Sequence, residues 1–230
     1  MAKYRATVTC VSGGMDSAVT AAEAARDSDA LYFLHVNYGQ RTEAKELACF
    51  QRLCDHFGAR ERLVAELPHL ARIGGSSLVD TRIPVEPADL TRRRIPSSYV
   101  PFRNAQILSA AVSWAEALGA EAVYFGAVAE DGSGYPDCRP EFYRAFQELV
   151  RTGTRPETRI EVVTPVLHLR KSAIVRRGLE LGTPFQFTWS CYCDSDAACG
   201  RCDSCALRLR GFREAGAADP IPYKNDGVRL

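Results

Sequence analysis

Ala6-Thr7-Val8-Thr9-Cys10-Val11-Ser12-Gly13-Gly14-Met15-Asp16-Ser17 is the stretch on which the fold of this chain turns. Residues 6–11 are rich in β-branched side chains and predict a short buried strand. Ser12-Gly13-Gly14 breaks that pattern, and the Ala-rich run 16–26 predicts a helix. Two glycines let the backbone turn tightly and approach a ligand with no Cβ in the way. Free N–H groups in the first helical turn, with the helix dipole behind them, favour an anion. Ser12 and Ser17 add hydroxyl donors. The design is a phosphate cradle, yet the Lys of G-x-x-x-x-G-K-[ST] and the spacing of G-x-G-x-x-G are both missing. Asp16 at the helix start reads from chemistry alone as an N-terminal capping carboxylate.

Outward from this loop the chain alternates. Strands are predicted over 31–37, 62–67, 122–126 and 160–163, and helices over 42–57, 103–118, 140–151 and 170–181. Gly58 and Gly119 stand where C-caps belong. Alternation of this kind implies an α/β fold, a Rossmann-like five-stranded parallel sheet with helices on both faces. The loop should then lie at the carboxyl end of the first strand, where open α/β sheets bind ligands. Residues 80–101 break the pattern with four prolines and the run Arg92-Arg93-Arg94. They read as a solvated connection, or as a lid or dimer arm over an anionic ligand. From Thr188 the chain becomes cysteine-rich, which divides it into an ATP-binding-type α/β domain over 1–187 and a small C-terminal metal-binding appendage over 188–230.

The 230 residues carry a formal net charge of only +1, so no overall field points to a nucleic acid or a membrane as partner, and a small molecule is the natural substrate. The N-terminus has no apolar stretch of signal-peptide or membrane-span length, and a cytoplasmic location with reduced thiols is expected. Four of the nine cysteines are scattered, while Cys191, Cys193, Cys199, Cys202 and Cys205 crowd together. Successive C-x-x-C steps at 199, 202 and 205 form a knuckle whose sulfurs converge on one ion, with Cys191 or Cys193 as the fourth thiolate. Four thiolates with no open position suit structural Zn²⁺, with an Fe–S cluster as the alternative. His35, in an apolar strand, reads as a satisfied core residue, and Cys138 is left unassigned because nothing in the sequence depresses its pKa.

Ser12 to Ser17 resembles the pyrophosphate loop of the PP-loop ATP pyrophosphatase superfamily, whose members cleave ATP between the α and β phosphates. Further segments narrow the resemblance: Asn37-Tyr38-Gly39-Gln40-Arg41, Val100-Pro101-Phe102-Arg103-Asn104, Ser133-Gly134-Tyr135-Pro136-Asp137-Cys138-Arg139, Thr164-Pro165 before Lys171, and Trp189-Ser190-Cys191-Tyr192. In that order they are similar to the 7-cyano-7-deazaguanine synthase (QueC) family, from Cys10 to Arg208. Three departures stand out: Thr42 where the family usually has His, Gly132 in place of an aromatic residue, and a Cys191–Cys199 spacing one residue short.

The resemblance implies a ligase that converts 7-carboxy-7-deazaguanine and free ammonia to the nitrile with ATP and Mg²⁺, as a homodimer. It implies that Val11, Ser12, Gly13, Gly14, Met15, Asp16 and Ser17 hold the nucleotide, with Asp16 placing Mg²⁺ or the nucleotide itself. Asp16, Ser17, Arg103 and Lys171 are the expected catalytic residues, the last two on the phosphates or the substrate carboxylate. A deazaguanine offers adjacent N–H donors that Asp131 or Asp137 would accept, with Tyr135 stacking on the ring and Arg139 beside them. Around Cys191 the match favours Cys191, Cys199, Cys202 and Cys205 as zinc ligands. Three rival functions remain: a tRNA-modifying PP-loop enzyme, a zinc-knuckle nucleic-acid binder, and a paralogue that adenylates a different acid. The neutral charge and short chain count against the first, and the pyrophosphate loop against the second.

Overall fold

The computed structural model describes residues 2–129 and 134–224. Its sheet is built from β1 (Thr7–Cys10), β2 (Leu31–Asn37), β3 (Glu61–Glu66), β4 (Ala122–Phe125) and β5 (Glu161–Val163). The order is β3-β2-β1-β4-β5 with every pair parallel. β1, β2 and β4 are central and covered on both faces, so even Thr7 and Thr9 of β1 and His35 of β2 are buried. β3, at the edge, is largely exposed and carries Glu at both ends.

Helices α1 (Met15–Asp27) and α2 (Glu43–Phe57) cover one face, where Ala18, Ala21, Phe50 and Leu53 pack on Phe33 and Tyr124. Short α3 (His69–Ile73) follows β3. The other face is covered by α4 (Arg103–Leu118) and α5 (Pro140–Gly153), with Leu108, Ala111 and Phe146 against Val8, Val36 and Val123. Alanines dominate the contact faces of α1 and α4, so helix and sheet approach closely. Gly58 and Gly119 do cap α2 and α4 in the left-handed conformation, at φ 64° each. Predicted element bounds hold to within one or two residues.

Two segments went unread in the sequence. One is α3; the other is α7 (Asp203–Ala215), which follows α6 (Lys171–Glu180) and packs against it and α1 through Phe212, Ile174 and Val19. The cysteine-rich segment is therefore continuous with a helix. Arg208 on α7 is 1% exposed and donates to both carboxylate oxygens of Asp219 (2.8 and 2.9 Å) and to Thr188 Oγ1 (2.8 Å). The proline-rich connection is pinned to this segment. Ala88 N–H donates to Arg201 O (2.8 Å), Arg92 pairs with Asp203, and Arg94 pairs with Glu86 (2.5 Å). Two members of the arginine run are thus neutralised by protein carboxylates.

Candidate active site

The strand order reverses between β1 and β4, and the loop after β1 opens there onto a cavity of about 280 Å³. Val11, Ser12, Gly14, Met15, Asp16 and Ser17 all line it. Gly13 has φ +86°, and a Cβ placed on it would lie 2.6 Å from the carbonyl oxygen of Glu46, so no other residue fits. Its own carbonyl accepts the N–H of Trp189 (2.8 Å), which ties the loop to the cysteine segment. Inside the loop Ser12 Oγ donates to Ser17 Oγ (3.1 Å) and Ser17 Oγ donates to Gly14 O (2.9 Å). Gly14 sits at the N-cap of α1 and supplies no side-chain cap. The first-turn N–H groups therefore remain available to a ligand, with the helix dipole pointing at the same place.

Lys171, the first residue of α6, reaches this loop from the far side. Its Nζ donates to Asp16 Oδ2 at 2.6 Å, and both residues line the cavity. Only 9% of Lys171 is exposed, held under α7 where Gly211 leaves room for it. Asp16 Oδ1 is buried and has no partner among the described residues. A carboxylate with one oxygen paired and the other orphaned, beside a phosphate-type cradle, fits a hard cation held jointly with phosphate oxygens.

The opposite wall comes from α2, the start of α4 and the segment around Ser190. Arg103 donates to Tyr38 Oη (2.9 Å), while its buried Nε has no partner among the described residues. Burial pushes the Tyr38 hydroxyl up to about 12, so it stays protonated near neutral pH. Tyr135 bonds to Ser98 (2.8 Å) and shares the cavity with Tyr192, Asn104 and Cys138. Burial also raises the Cys138 thiol to about 11, which leaves it no thiolate near neutrality. Glu46, half-buried on α2, lines the same wall and accepts from Thr42 Oγ1 (2.7 Å) and Gln40 Nε2 (3.3 Å).

Arg103, Tyr135 and Lys171 therefore meet the loop at one cavity. Asp137 does not line it; its Oδ2 accepts the backbone N–H of Asn104 (3.0 Å), so this buried carboxylate caps α4. Arg139 is exposed at the N-cap of α5, away from the cavity. Asp131 lies outside the described residues. Glu46, Tyr38, Gln40, Asn104 and Tyr192 were missed as site residues, although all but Glu46 fall inside segments that carry the resemblance. A signal for Glu46 exists: it precedes buried Cys49, Phe50 and Leu53 at helical spacing.

The Sγ atoms of Cys191, Cys199, Cys202 and Cys205 lie within 4.8 Å of one another, all four residues buried. Sulfurs around a tetrahedral zinc stand about 3.8 Å apart, given Zn–S bonds of about 2.3 Å. Cys191 Sγ also accepts N–H bonds from Cys193 (3.4 Å) and Cys199 (3.3 Å), the arrangement a thiolate ligand needs. The set thus fits Zn²⁺, while Cys193 is exposed and outside the group. Among the described residues no helix is long and apolar enough to cross a membrane.

Comparison with known proteins places this geometry in a lineage. The family model described as queuosine biosynthesis protein QueC matches residues 6–216. The 7-cyano-7-deazaguanine synthase of Chlorobaculum tepidum is 58% identical over 217 residues, covering 94% of this chain and 96% of that protein. Those of Chlorobaculum parvum and Chloroherpeton thalassium are 57% and 56% identical, each over 94% of this chain and 96% of theirs. The matched span takes in both the loop and the cysteine cluster, and this chain belongs to the QueC family.

Proposed function

We propose that this chain is an ATP-dependent ligase that converts 7-carboxy-7-deazaguanine and ammonia to 7-cyano-7-deazaguanine. The observation that carries the reading is a single cavity in which an uncapped Ser-Gly-Gly loop, the Asp16–Lys171 pair and Arg103 face one another. A carboxylate becomes electrophilic only when its oxygen is made a leaving group. Transfer of AMP from ATP to that oxygen releases pyrophosphate into the loop. Ammonia then displaces AMP to give the amide. Activation of the amide oxygen by a second ATP releases a second pyrophosphate, and departure of AMP with loss of both N–H protons leaves the nitrile. The loop N–H groups, Ser12 and Ser17 stabilise charge on the phosphates through both activations. Lys171 neutralises the same phosphates, and Arg103, with its unpartnered Nε, holds the substrate carboxylate in line.

Asp16 is the residue we assign to Mg²⁺, which would shield the phosphate charge. Cys191, Cys199, Cys202 and Cys205 are assigned to a structural Zn²⁺, which would cross-link the 188–230 appendage. A cytoplasmic homodimer that uses free ammonia completes the proposal, and light scattering that gives a monomer at micromolar concentration would remove the dimer from it. The test of function is incubation of the purified chain with ATP, ammonium and 7-carboxy-7-deazaguanine, with the nitrile sought by mass. Pyrophosphate release with no nitrile would favour a paralogue acting on another acid.

A further inference from the structure

We propose that Glu46 reads the donor edge of the acid substrate, accepting its ring N–H and exocyclic amine side by side; this rests on the function proposed above. Two carboxylates line the cavity among the described residues, Asp16 and Glu46. Asp16 is committed to Lys171 at the loop. Asp137 does not line the cavity and holds the N-terminus of α4 through Oδ2. Among the described residues Glu46 alone is left, and it enters no ion pair there.

Its orientation is set from behind. Thr42 Oγ1 holds one oxygen and Gln40 Nε2 the other, while Gln40 Oε1 is itself fixed by the N–H of Tyr38 (2.9 Å). Each carboxylate oxygen keeps a second lone pair, so the group can take two further donors. Burial pushes its pKa up, against the pull of Thr42, His35, Gln40 and Arg103. Two ligand N–H groups would offset that desolvation. Thr42, the departure from the usual His of the family, thereby sets the direction of the Glu46 carboxylate.

The chemistry selects the ligand. A 7-deazaguanine skeleton presents two donors in parallel, which a carboxylate takes in bidentate fashion. Adenine presents an amine beside a lone pair, and the lone pair repels a carboxylate. Tyr38, Tyr135 and Tyr192 on the same wall supply flat faces for a fused ring. The vicinal hydroxyls of the ATP ribose are the other source of paired donors, and the test separates the two.

Glu46→Gln should lower kcat/KM for 7-carboxy-7-deazaguanine by about 10²-fold, because a donor then faces a donor. The same substitution should barely affect an analogue that lacks the exocyclic amine, and should leave the KM for ATP and the affinity for pyrophosphate unchanged. Thr42→Val should produce a smaller loss confined to the parent substrate. Equal losses with parent and analogue overturn the proposal. So does a raised KM for ATP that disappears when 2′-deoxy-ATP is used, which would place Glu46 on the ribose. If Glu46→Gln fails to fold, Thr42→Val decides, and no loss there overturns the assignment. A wild-type chain that forms no nitrile overturns the function reading, and this proposal with it, and is recognised because the defect appears without any substitution.

Discussion

Gly13→Ala puts the loop geometry to a quantitative test, with Gly58→Ala as its control. Both glycines are left-handed, at φ +86° and +64°. Alanine in that region costs about 1–2 kcal/mol of backbone strain at either site. At Gly58 nothing lies within 4 Å of the new Cβ, so strain is the whole effect. At Gly13 the Cβ meets Glu46 O at 2.6 Å and Cys49 Cβ at 3.0 Å. That oxygen is backbone and cannot rotate away, so α2 or the loop must shift, which adds roughly 1–3 kcal/mol. Gly58→Ala should lower Tm by about 2–8 °C and Gly13→Ala by roughly 4–20 °C, at about 2–4 °C per kcal/mol for a chain of this size. A loop displaced by about 1 Å should also lose about 10²-fold in reaction rate. Calorimetry gives the first quantity, and isothermal titration with pyrophosphate shows whether the cradle itself is lost. If both variants melt together and Gly13→Ala still binds pyrophosphate like wild type, the close approach of loop and α2 is not what forms the cradle.

Asp219→Asn removes the partner of the buried Arg208 and should destabilise the fold by about 3–5 kcal/mol in denaturant unfolding; a loss below about 1 kcal/mol would mean that Thr188 and the carbonyl of Phe185 suffice. Metal analysis should find zinc lost from Cys202→Ser and kept in Cys193→Ser, and the reverse pattern would hand the fourth position to Cys193. With its thiol held at about 11, Cys138 should resist iodoacetamide at pH 7–9 and react only as the pH approaches that value. The folded chain binds the proton above the ordinary thiol range while the unfolded chain releases it. The stability due to Cys138 should therefore fall as pH rises from about 9 to 11, as the difference between wild type and Cys138→Ser.

The central sheet was legible because buried parallel strands announce themselves as apolar runs, and β2 was read at its observed bounds, Leu31–Asn37. The ends of α2 and α4 were legible because Gly58 and Gly119 can turn where other residues strain. Helix α7 was not, because the cysteine spacing drew the reading and its buried face includes Arg208, a residue type whose charge ordinarily keeps it in water. The loop at Ser12 could be read because its conformation is local. Asp137 could not be placed, since its cap lies on Asn104, remote in sequence, and the same holds for Arg92, neutralised by Asp203. Glu46 looks like any helical glutamate until Thr42, Gln40 and the cavity are seen together. Local chemistry reads from sequence; partners that arrive from far along the chain do not.

One loop performing two activations is the central claim, and supplying the 7-amide in place of the acid isolates the second. With ATP present, the wild-type chain should convert the amide to nitrile and release one pyrophosphate per nitrile, and without ATP nothing should form. Asp16→Ala should lose this step and the acid-to-amide step together. An inert amide, nitrile formed without ATP, or an Asp16→Ala chain that stalls at the amide would contradict a single shared loop.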